Sequence, residues 1–383
     1  MVALAPILRK AYLSITVVVA IYGLALLAFV HPWIQRHVLY AHKVQTWWYD
    51  LNKPEQWGFA KNQITPFNLT TPDNETLYAW HVMPLELYAK HEVEILQQPS
   101  GCAEDITKTK AFRLLQDDPN ARLIVNFHGN AGTVAQGWRT DSYRSYSDSS
   151  TSNIHILAVD YRGYGYSSGS PTEAGLILDG IATVNWALNI AKVPSDRIVI
   201  LGQSIGTAVT TGVIEHFAEQ GTEFAAVILI AGFTDLPNLL TQYAIGGWIP
   251  ILSPLNRAPT LRRWLHGRLV DTWPSATRLA NFVRKSKKVR LFLIHAKDDF
   301  EIPWTHSEGL FVAAANATST EGIDLDLIRA MKARNTVEMG DGAFVSTWNA
   351  GGDKVIREQI VLNGREYFCT NTPSVAKFFS GRT

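Results

Sequence analysis

Five short runs of apolar residues recur through the middle of the chain, with longer stretches that can form helices between them. In chain order the runs read RLIVNF, IHILAVDY, RIVILGQ, AAVILIAG and VRLFLIHA. Runs that are apolar at nearly every position are typical of strands buried on both faces. Their alternation with helices predicts an α/β fold, with a mostly parallel central sheet and helices on both of its faces.

The segments around this alternating core follow other patterns. Upstream, QITPFNLTTPDNETLYAWHVMP alternates apolar and polar residues around a Pro-Asp-Asn turn and predicts a two-stranded hairpin. Residues 85–119 lack a steady period, and we expect a polar excursion there. A long insertion, residues 233–288, separates the fourth run from the fifth. It is either a lid over the strand ends, with an apolar face for a lipid chain, or an ordinary packed helical insertion.

An apolar N-terminal segment predicts a membrane anchor. Residues 11–30 carry no charge, and as a helix they span about 30 Å, the thickness of the hydrocarbon core of a bilayer. The segment runs on to His31, Pro32 and Trp33 without a clean cleavage site, which favours an uncleaved single-pass anchor over a signal peptide. The expected organisation is a stub and transmembrane anchor (1–42), a first part of the core (43–232), the lid (233–288) and a second part of the core (289–383).

Composition narrows the range of partners. The 35 Lys and Arg residues nearly balance the 34 Asp and Glu residues, and no block of like charge suggests a nucleic-acid partner. The two cysteines, Cys102 and Cys369, are too few for a metal cage, and no paired spacing of His and Asp recurs. The sequence therefore implies neither a metal nor a cofactor.

The sequence GQSIG provides a candidate nucleophile, Ser204. It follows the run RIVIL directly and precedes a stretch that can form a helix, so the serine stands on a strand-turn-helix elbow. The flanking glycines remove the Cβ atoms that would collide with the neighbouring strand and helix. The backbone N–H of Ile205 is one expected donor to an oxyanion.

Two other loops supply further candidates. The second oxyanion donor is expected in HGNAG, after the run RLIVNF, and we assign it to Asn130. We expect His128 in the same loop to bond the backbone rather than the substrate. After the fifth run, HAKDDFEIP places Asp298 and Asp299 at a strand end, where either carboxylate can orient an imidazole.

These motifs together resemble those of the membrane-anchored α/β-hydrolase-fold serine lipases that act on monoacylglycerols and lysophosphatidylserine. HGNAG, VDYRGYGYSSGSPTEAG, GQSIG and HAKDD-x-x-IP occur in the order and spacing of that family, over about residues 120–310. The resemblance implies an α/β-hydrolase fold and cleavage of acyl esters of glycerolipids through an acyl-enzyme. It also implies that the catalytic acid stands four residues before a proline, which here is Asp299.

The family's histidine is missing from its expected place. The resemblance implies a Gly-Gly-His-Asn-like segment after the last strand, but here REQIVLNG is followed by REYFCTN. Downstream of Asp299 the sequence has one histidine, His306, a weak candidate for the base. Either the chain is a catalytically silent relative that binds lipid, or translated intron sequence replaces the histidine segment and leaves the second part of the core incomplete. The codons for residues 365–367 can spell a splice-donor-like string, which fits the second explanation.

Three glycosylation sequons bear on localisation. They begin at Asn68, Asn74 and Asn316. Glycosylation requires a lumenal domain, so the sequons favour an endoplasmic-reticulum protein whose catalytic domain faces the lumen. A cytoplasmic site would instead suit a protein thioesterase that removes palmitate.

Overall fold

The structure is a computed structural model that describes residues 4–45, 48–147, 153–245, 249–250 and 252–364. The strands of this part of the chain are β1 (Ile64–Thr70), β2 (Thr76–Val82), β3 (Arg122–Phe127), β4 (Ile154–Val159), β5 (Ile198–Gln203), β6 (Ala226–Ile230), β7 (Ala244–Ile245), β8 (Ile249–Pro250), β9 (Lys288–Ala296), β10 (Thr336–Gly340), β11 (Ala343–Asn349) and β12 (Asp353–Val361). The α-helices are α1 (Leu4–Phe29), α2 (Pro32–Tyr40), α3 (Leu85–Leu96), α4 (Lys110–Asp117), α5 (Arg139–Ser147), α6 (Glu173–Asn185), α7 (Ile205–Glu219), α8 (Leu236–Gln242), α9 (Pro259–His266), α10 (Ser275–Lys285), α11 (Thr305–Asn316) and α12 (Leu325–Arg334).

Ten of these strands form one sheet in the order β1-β2-β4-β3-β5-β6-β9-β12-β11-β10. The central strands from β4 to β12 run parallel, and each edge carries an antiparallel hairpin, β1–β2 and β10–β11. All five predicted strands lie in the parallel part, where Val125, Ile200 and Leu229 are fully buried. The predicted α/β-hydrolase architecture and the predicted N-terminal hairpin are therefore confirmed.

Two parts of the chain are more regular than the sequence predicted. Residues 85–119, expected to be a polar excursion, contain α3 and α4. The expectation was wrong because a few apolar side chains suffice to bury one face of a short helix: Tyr88 and Ile95, seven residues apart on α3, are both buried. The hairpin β10–β11, which extends the sheet beyond β12, was not predicted, because β10 is short and four of its five residues are exposed.

The N-terminal helix α1 includes a stretch, Leu8–Phe29, that is long and apolar enough to cross a bilayer by length and composition. Its mean hydropathy is 2.2, and only 6% of its most apolar window is buried in the protein. Near its end, Leu26 packs in a small cluster with Leu252, Leu255 and Leu265, so α1 contacts the predicted lid segment.

Within residues 233–288 the helices pack differently. Helix α10 contributes Leu279, Phe282 and Val283 to the main hydrophobic core beside the sheet. Helix α9 instead contributes Leu265 to the separate cluster with α1. The division of the chain into anchor, core and lid stays a prediction.

Candidate active site

Ser204 stands on a sharp turn between β5 and α7. Its backbone has φ 51° and ψ −123°, a left-handed conformation that is rare for a residue with a side chain. Both ends of the turn are fixed: the Ser204 N–H donates to Ile230 O at 2.9 Å, and the hydroxyl of Thr207 donates to Ser204 O at 2.7 Å. The side chain is half-buried, and no side chain among the described residues hydrogen-bonds its hydroxyl.

The two glycines of GQSIG are required by space. A Cβ on Gly206 would lie 2.8 Å from His128 O and closer still to Phe127 O. A Cβ on Gly202 would collide with the carbonyl of Gly206 and with Thr210. Real Cβ atoms do not approach backbone oxygens this closely, so the elbow depends on both glycines.

The HGNAG loop runs alongside the elbow. A Cβ on Gly129 would be 3.4 Å from the Cβ of Ser204, which places the loop in contact with the candidate nucleophile. The Asn130 side chain points to other groups: its amide donates to Leu39 O at 2.6 Å, and its carbonyl accepts from the Tyr164 hydroxyl at 3.0 Å. The group of Asn130 that can donate to an oxyanion is therefore its backbone N–H.

A buried arginine holds this loop from behind. Arg139, at the start of α5, is 7% exposed, and its guanidinium donates to the carbonyls of Gly129, Asn130 and Ala131 at 2.9–3.0 Å. It also donates to Thr133 O. We call these contacts the carbonyl clamp. Because they fix the peptide oxygens of the loop, they also fix the direction of its N–H groups.

Ile205, the other predicted oxyanion residue, is the first residue of α7 and is buried. No backbone acceptor within the described ranges takes up the N–H of Ile205 or of Asn130. A free N–H in the first turn of a helix favours negative charge. Both donors predicted from the sequence thus stay available beside Ser204, although their catalytic role stays a prediction.

Asp299 follows β9, with β6 between it and the strand that carries Ser204. The strand spacing puts the ends of β5 and β9 about 10 Å apart, enough for an imidazole between the two side chains. Asp299 is 7% exposed, and the Oδ1 of its carboxylate accepts from the N–H groups of Glu301 and Ile302 at 3.0 and 2.9 Å. Its Oδ2 is buried and has no hydrogen-bond partner in the described part of the chain.

The imidazole nearest to this carboxylate belongs to His295, which is fully buried on β9. Its Nε2 is 3.4 Å from Asp299 Oδ2 but hydrogen-bonds Ile302 O at 2.8 Å, and its Nδ1 lies 3.0 Å from Ser307 Oγ. Both ring nitrogens of His295 form hydrogen bonds inside the fold. His295 therefore supports the turn at residues 298–302, which we call the acid turn.

His306, the weak candidate for the base, lies at the start of α11. Its Nδ1 accepts from Thr234, 3.0 Å from the hydroxyl and 3.4 Å from the backbone N–H. Burial lowers the pKa of His306 to about 4, so the ring is neutral at pH 7. Its ring nitrogens form no ion pair with Asp299 among the described residues.

The end of β12 reaches the acid turn. The Lys297 N–H donates to Val361 O at 2.9 Å, and the Gly364 N–H donates to Asp298 Oδ1 at 3.0 Å. Asp298, the neighbour of the predicted acid Asp299, therefore binds the backbone that follows β12. Residues 365–383, including the segment where a family histidine is expected, lie outside the described residues.

His128 behaves as the sequence indicated. It is 1% exposed, and its Nδ1 is 2.7 Å from Gly129 O. Its Nε2 is 3.3 Å from Asp160 Oδ1, and burial lowers the pKa of the ring. Sequence reasoning missed Arg139 and the contact of His295 with Asp299. The spacing of four residues between His295 and Asp299 was a signal for their contact. Arg139, in contrast, lies on a polar segment that nothing in the sequence sets apart.

The sequence of residues 124–346 matches the profile of the alpha/beta hydrolase family. The chain belongs to that family. Among curated relatives, the lysophosphatidylserine lipase ABHD12 of Xenopus tropicalis is 27% identical over 75% of this chain and 67% of its own length. The uncharacterized protein YfhR of Escherichia coli K12 is 28% identical over 62% of this chain and 68% of its own length.

One solved structure supports the fold at low sequence identity. An alpha-beta hydrolase from Vibrio vulnificus superimposes with a TM-score of 0.54 at 14% identity, covering 89% of each chain. Together with the family match, this agrees with the hydrolase class that the motifs predicted.

Proposed function

We propose that this chain is a membrane-anchored serine hydrolase that cleaves acyl esters of glycerolipids, such as monoacylglycerols or lysophospholipids. The observation that carries the proposal is the left-handed turn at Ser204 in contact with the loop of Gly129. That arrangement presents a hydroxyl beside two backbone N–H groups, of Asn130 and Ile205, that no backbone acceptor in the described part of the chain takes up. The lysophosphatidylserine lipases among the relatives support a lysophospholipid as substrate.

In the proposed reaction, the Ser204 hydroxyl oxygen adds to the acyl carbonyl carbon and gives up its proton to a base. The N–H groups of Asn130 and Ile205 receive the resulting oxyanion. Collapse of the intermediate breaks the ester bond, and the glycerol oxygen leaves with a proton. Water then cleaves the acyl-enzyme and restores Ser204. Asp299 would orient the base through its Oδ2, the oxygen that has no partner among the described residues.

A second candidate function, a silent hydrolase-fold protein that binds lipid, is favoured by one specific observation. The sequence has no histidine after His306, which hydrogen-bonds Thr234. Without a base, the serine retains only the catalysis that oxyanion donors provide, about 10³- to 10⁴-fold over water. A binder would keep the lipid site and show no turnover that depends on Ser204.

Labelling separates the two candidates. The full chain is incubated with a fluorophosphonate probe and with lysophosphatidylserine or a monoacylglycerol, and compared with Ser204→Ala. Slow labelling and fatty-acid release that both disappear in Ser204→Ala support the hydrolase. Equal signals in the two proteins, together with retained lipid binding, would establish the binder instead.

We also propose that α1 spans the membrane of the endoplasmic reticulum and that the hydrolase part faces the lumen. Asn68 and Asn74, two of the three sequon asparagines, are exposed on the β1–β2 hairpin, whereas Asn316 is half-buried. Endoglycosidase treatment should therefore shift the gel mobility of the chain expressed in eukaryotic cells, and Asn68→Gln with Asn74→Gln should remove most of that shift. Unchanged mobility would point to a cytoplasmic hydrolase domain.

A further inference from the structure

The segment between Asp235 and Asp271 has an unusual balance of charge. It contains no acidic residue and four arginines, Arg257, Arg262, Arg263 and Arg268, whereas positive and negative charges balance over the whole chain. Arg257, Arg263 and Arg268 are exposed. Such a concentration of cations favours an anionic partner.

Large apolar side chains share this exposed surface with the arginines. Leu261 and Trp264, three residues apart on α9, expose 41% and 38% of their surface, and Val270 exposes 59%. The guanidinium of Arg268 lies 5.7 Å from the centre of the Trp264 ring. Trp, Leu and Arg side by side are typical of surfaces that rest in the headgroup region of a bilayer.

The position of this surface relative to the proposed anchor is fixed by packing. Leu26, in the last turns of α1, lies in one cluster with Leu265 of α9 and with Leu252 and Leu255, which precede α9. The buried side chain of Gln35 on α2 adds two hydrogen bonds, donating to Arg268 O at 2.8 Å and accepting from the Val270 N–H at 3.0 Å. The Tyr40 hydroxyl donates to Asp271 at 2.6 Å.

These contacts determine the depth of α9. The stretch that can cross a bilayer ends at Phe29, only three residues beyond Leu26. One helical turn rises about 5.4 Å, so side chains packed against Leu26 lie within about one turn of the hydrocarbon boundary. With α1 across a bilayer, the arginines around them would therefore lie at the level of the lipid headgroups.

We propose that α9 and the residues that flank it, 257–270 in all, form a lipid-headgroup-binding surface that rests on the same bilayer α1 spans and prefers anionic phospholipid. This inference rests on the proposed anchoring by α1. The arginines would contact phosphate or carboxylate groups, while Leu261, Trp264 and Val270 enter the interface. Each arginine near an anionic surface strengthens membrane contact about fivefold.

The test uses the full chain with its two cysteines replaced (Cys102→Ser, Cys369→Ser) and one new labelling site, Trp264→Cys. An environment-sensitive NBD fluorophore on that site is compared in nanodiscs of phosphatidylcholine alone and of equal parts phosphatidylcholine and phosphatidylserine. Spin-labelled phospholipid is added as a quencher. The matched control carries the label at Val93→Cys, an exposed position on α3, whose buried residues pack in a cluster separate from that of α1.

We expect stronger quenching at position 264 than at position 93, an increase with phosphatidylserine, and a several-fold loss of that increase in Arg263→Glu with Arg268→Glu. Equal quenching at both positions, or no response to phosphatidylserine, would overturn the proposal. A label at position 264 that is shielded from water but not quenched by lipid would also overturn it, because a protein partner would then cover α9. Alkaline extraction of the same samples tests α1 separately: release of the chain from the bilayer refutes the anchor, whereas retention with an unquenched label refutes only the headgroup surface.

Discussion

Ser204 and Asp299 both follow parallel strands that end at the same edge of the sheet, yet their surroundings differ. Around Ser204 the turn, the two glycines, the HGNAG loop and the carbonyl clamp are all in place. Around Asp299 one carboxylate oxygen accepts two backbone N–H groups, while the other is buried without a hydrogen-bond partner in the described ranges. An unpartnered buried carboxylate oxygen is costly, which indicates that this side of the site is built to receive a donor.

The difference shows how the sequence encodes the two halves of the candidate site, the nucleophile side around Ser204 and the acid side around Asp299. The nucleophile side depends on backbone shape and on contacts between neighbouring segments, which short motifs specify. The family resemblance predicts that the acid side, around Asp299, needs a histidine from a separate segment, the residues after β12. Under that prediction, a change of a few residues there would remove the base without disturbing the motifs around Ser204.

The largest expected effect comes from supplying a histidine in the segment after β12. Arg365→Gly, Glu366→His and Tyr367→Asn together create the family-like segment directly after Gly364, whose N–H already bonds Asp298. We expect this histidine variant to hydrolyse a monoacylglycerol faster than the unmodified chain by up to about a million-fold, since triad knockouts lose that much. Initial rates of fatty-acid release measure the gain.

The matched control for the histidine variant replaces Glu366 by Ala with the other two changes kept. A gain in this control would show that the histidine is not responsible. Equal rates in all three chains would break the comparison, because the acid side would then lack more than an imidazole.

Away from the site, the two halves of the sheet also bury polar groups differently. In the half that carries Asp299, a buried ion pair stabilises the structure. Glu358 on β12 is fully buried, its carboxylate is 2.6 Å from Lys332 on α12, and burial raises its pKa. Lys332→Met would leave the carboxylate unpaired, so we expect the free energy of unfolding at pH 7 to fall by about 3–5 kcal/mol. Urea denaturation measures the loss. The control is Lys90→Met, which removes an exposed ion pair with Glu86 and should change the free energy of unfolding little. Recovery of stability in Lys332→Met combined with Glu358→Gln would identify the unpaired charge as the cause.

On the nucleophile side a neutral pair takes the corresponding place. His81 on β2 and His155 on β4 are fully buried, with 3.0 Å between His81 Nε2 and His155 Nδ1. Burial lowers the pKa of His81 to about 4 and that of His155 well below its ordinary value. Below pH 6.5 the unfolded chain therefore binds more protons than the folded one, and stability falls as the pH drops from 6.5 towards 4.

For His81 alone this loss amounts to about 3 kcal/mol across that window. Thermal or urea unfolding at several pH values should show it. His81→Leu with His155→Leu should flatten the dependence, since replacing both partners by apolar groups leaves nothing to protonate.

Sequence reasoning identified the fold and the strand-turn-helix placement of Ser204 well, because both depend on local signals. The role of Ser204 as nucleophile stays a prediction. Continuous apolar runs specify buried parallel strands, and GQSIG after such a run specifies the elbow. It missed α3 and α4, whose buried faces consist of only a few side chains, and it missed the carbonyl clamp. Arg139 contacts residues six to ten positions earlier through backbone oxygens, and backbone contacts of this kind leave no residue pattern for a motif to capture.

The smallest expected effect concerns this clamp and sharpens the comparison on the nucleophile side. In the histidine variant, Arg139→Lys keeps a buried positive charge but loses the planar fork that reaches several carbonyls at once. We expect kcat to fall about ten- to a hundredfold with KM little changed, because the loop N–H groups would shift relative to the oxyanion. The matched control is Arg113→Lys, an exposed arginine on α4, which should leave both constants unchanged. Arg139→Lys must also keep the unfolding midpoint of its parent, so that a lower kcat reports on the loop. An unchanged kcat in such a folded variant would show that the strained turn at Ser204 orients the oxyanion donors without help from the clamp.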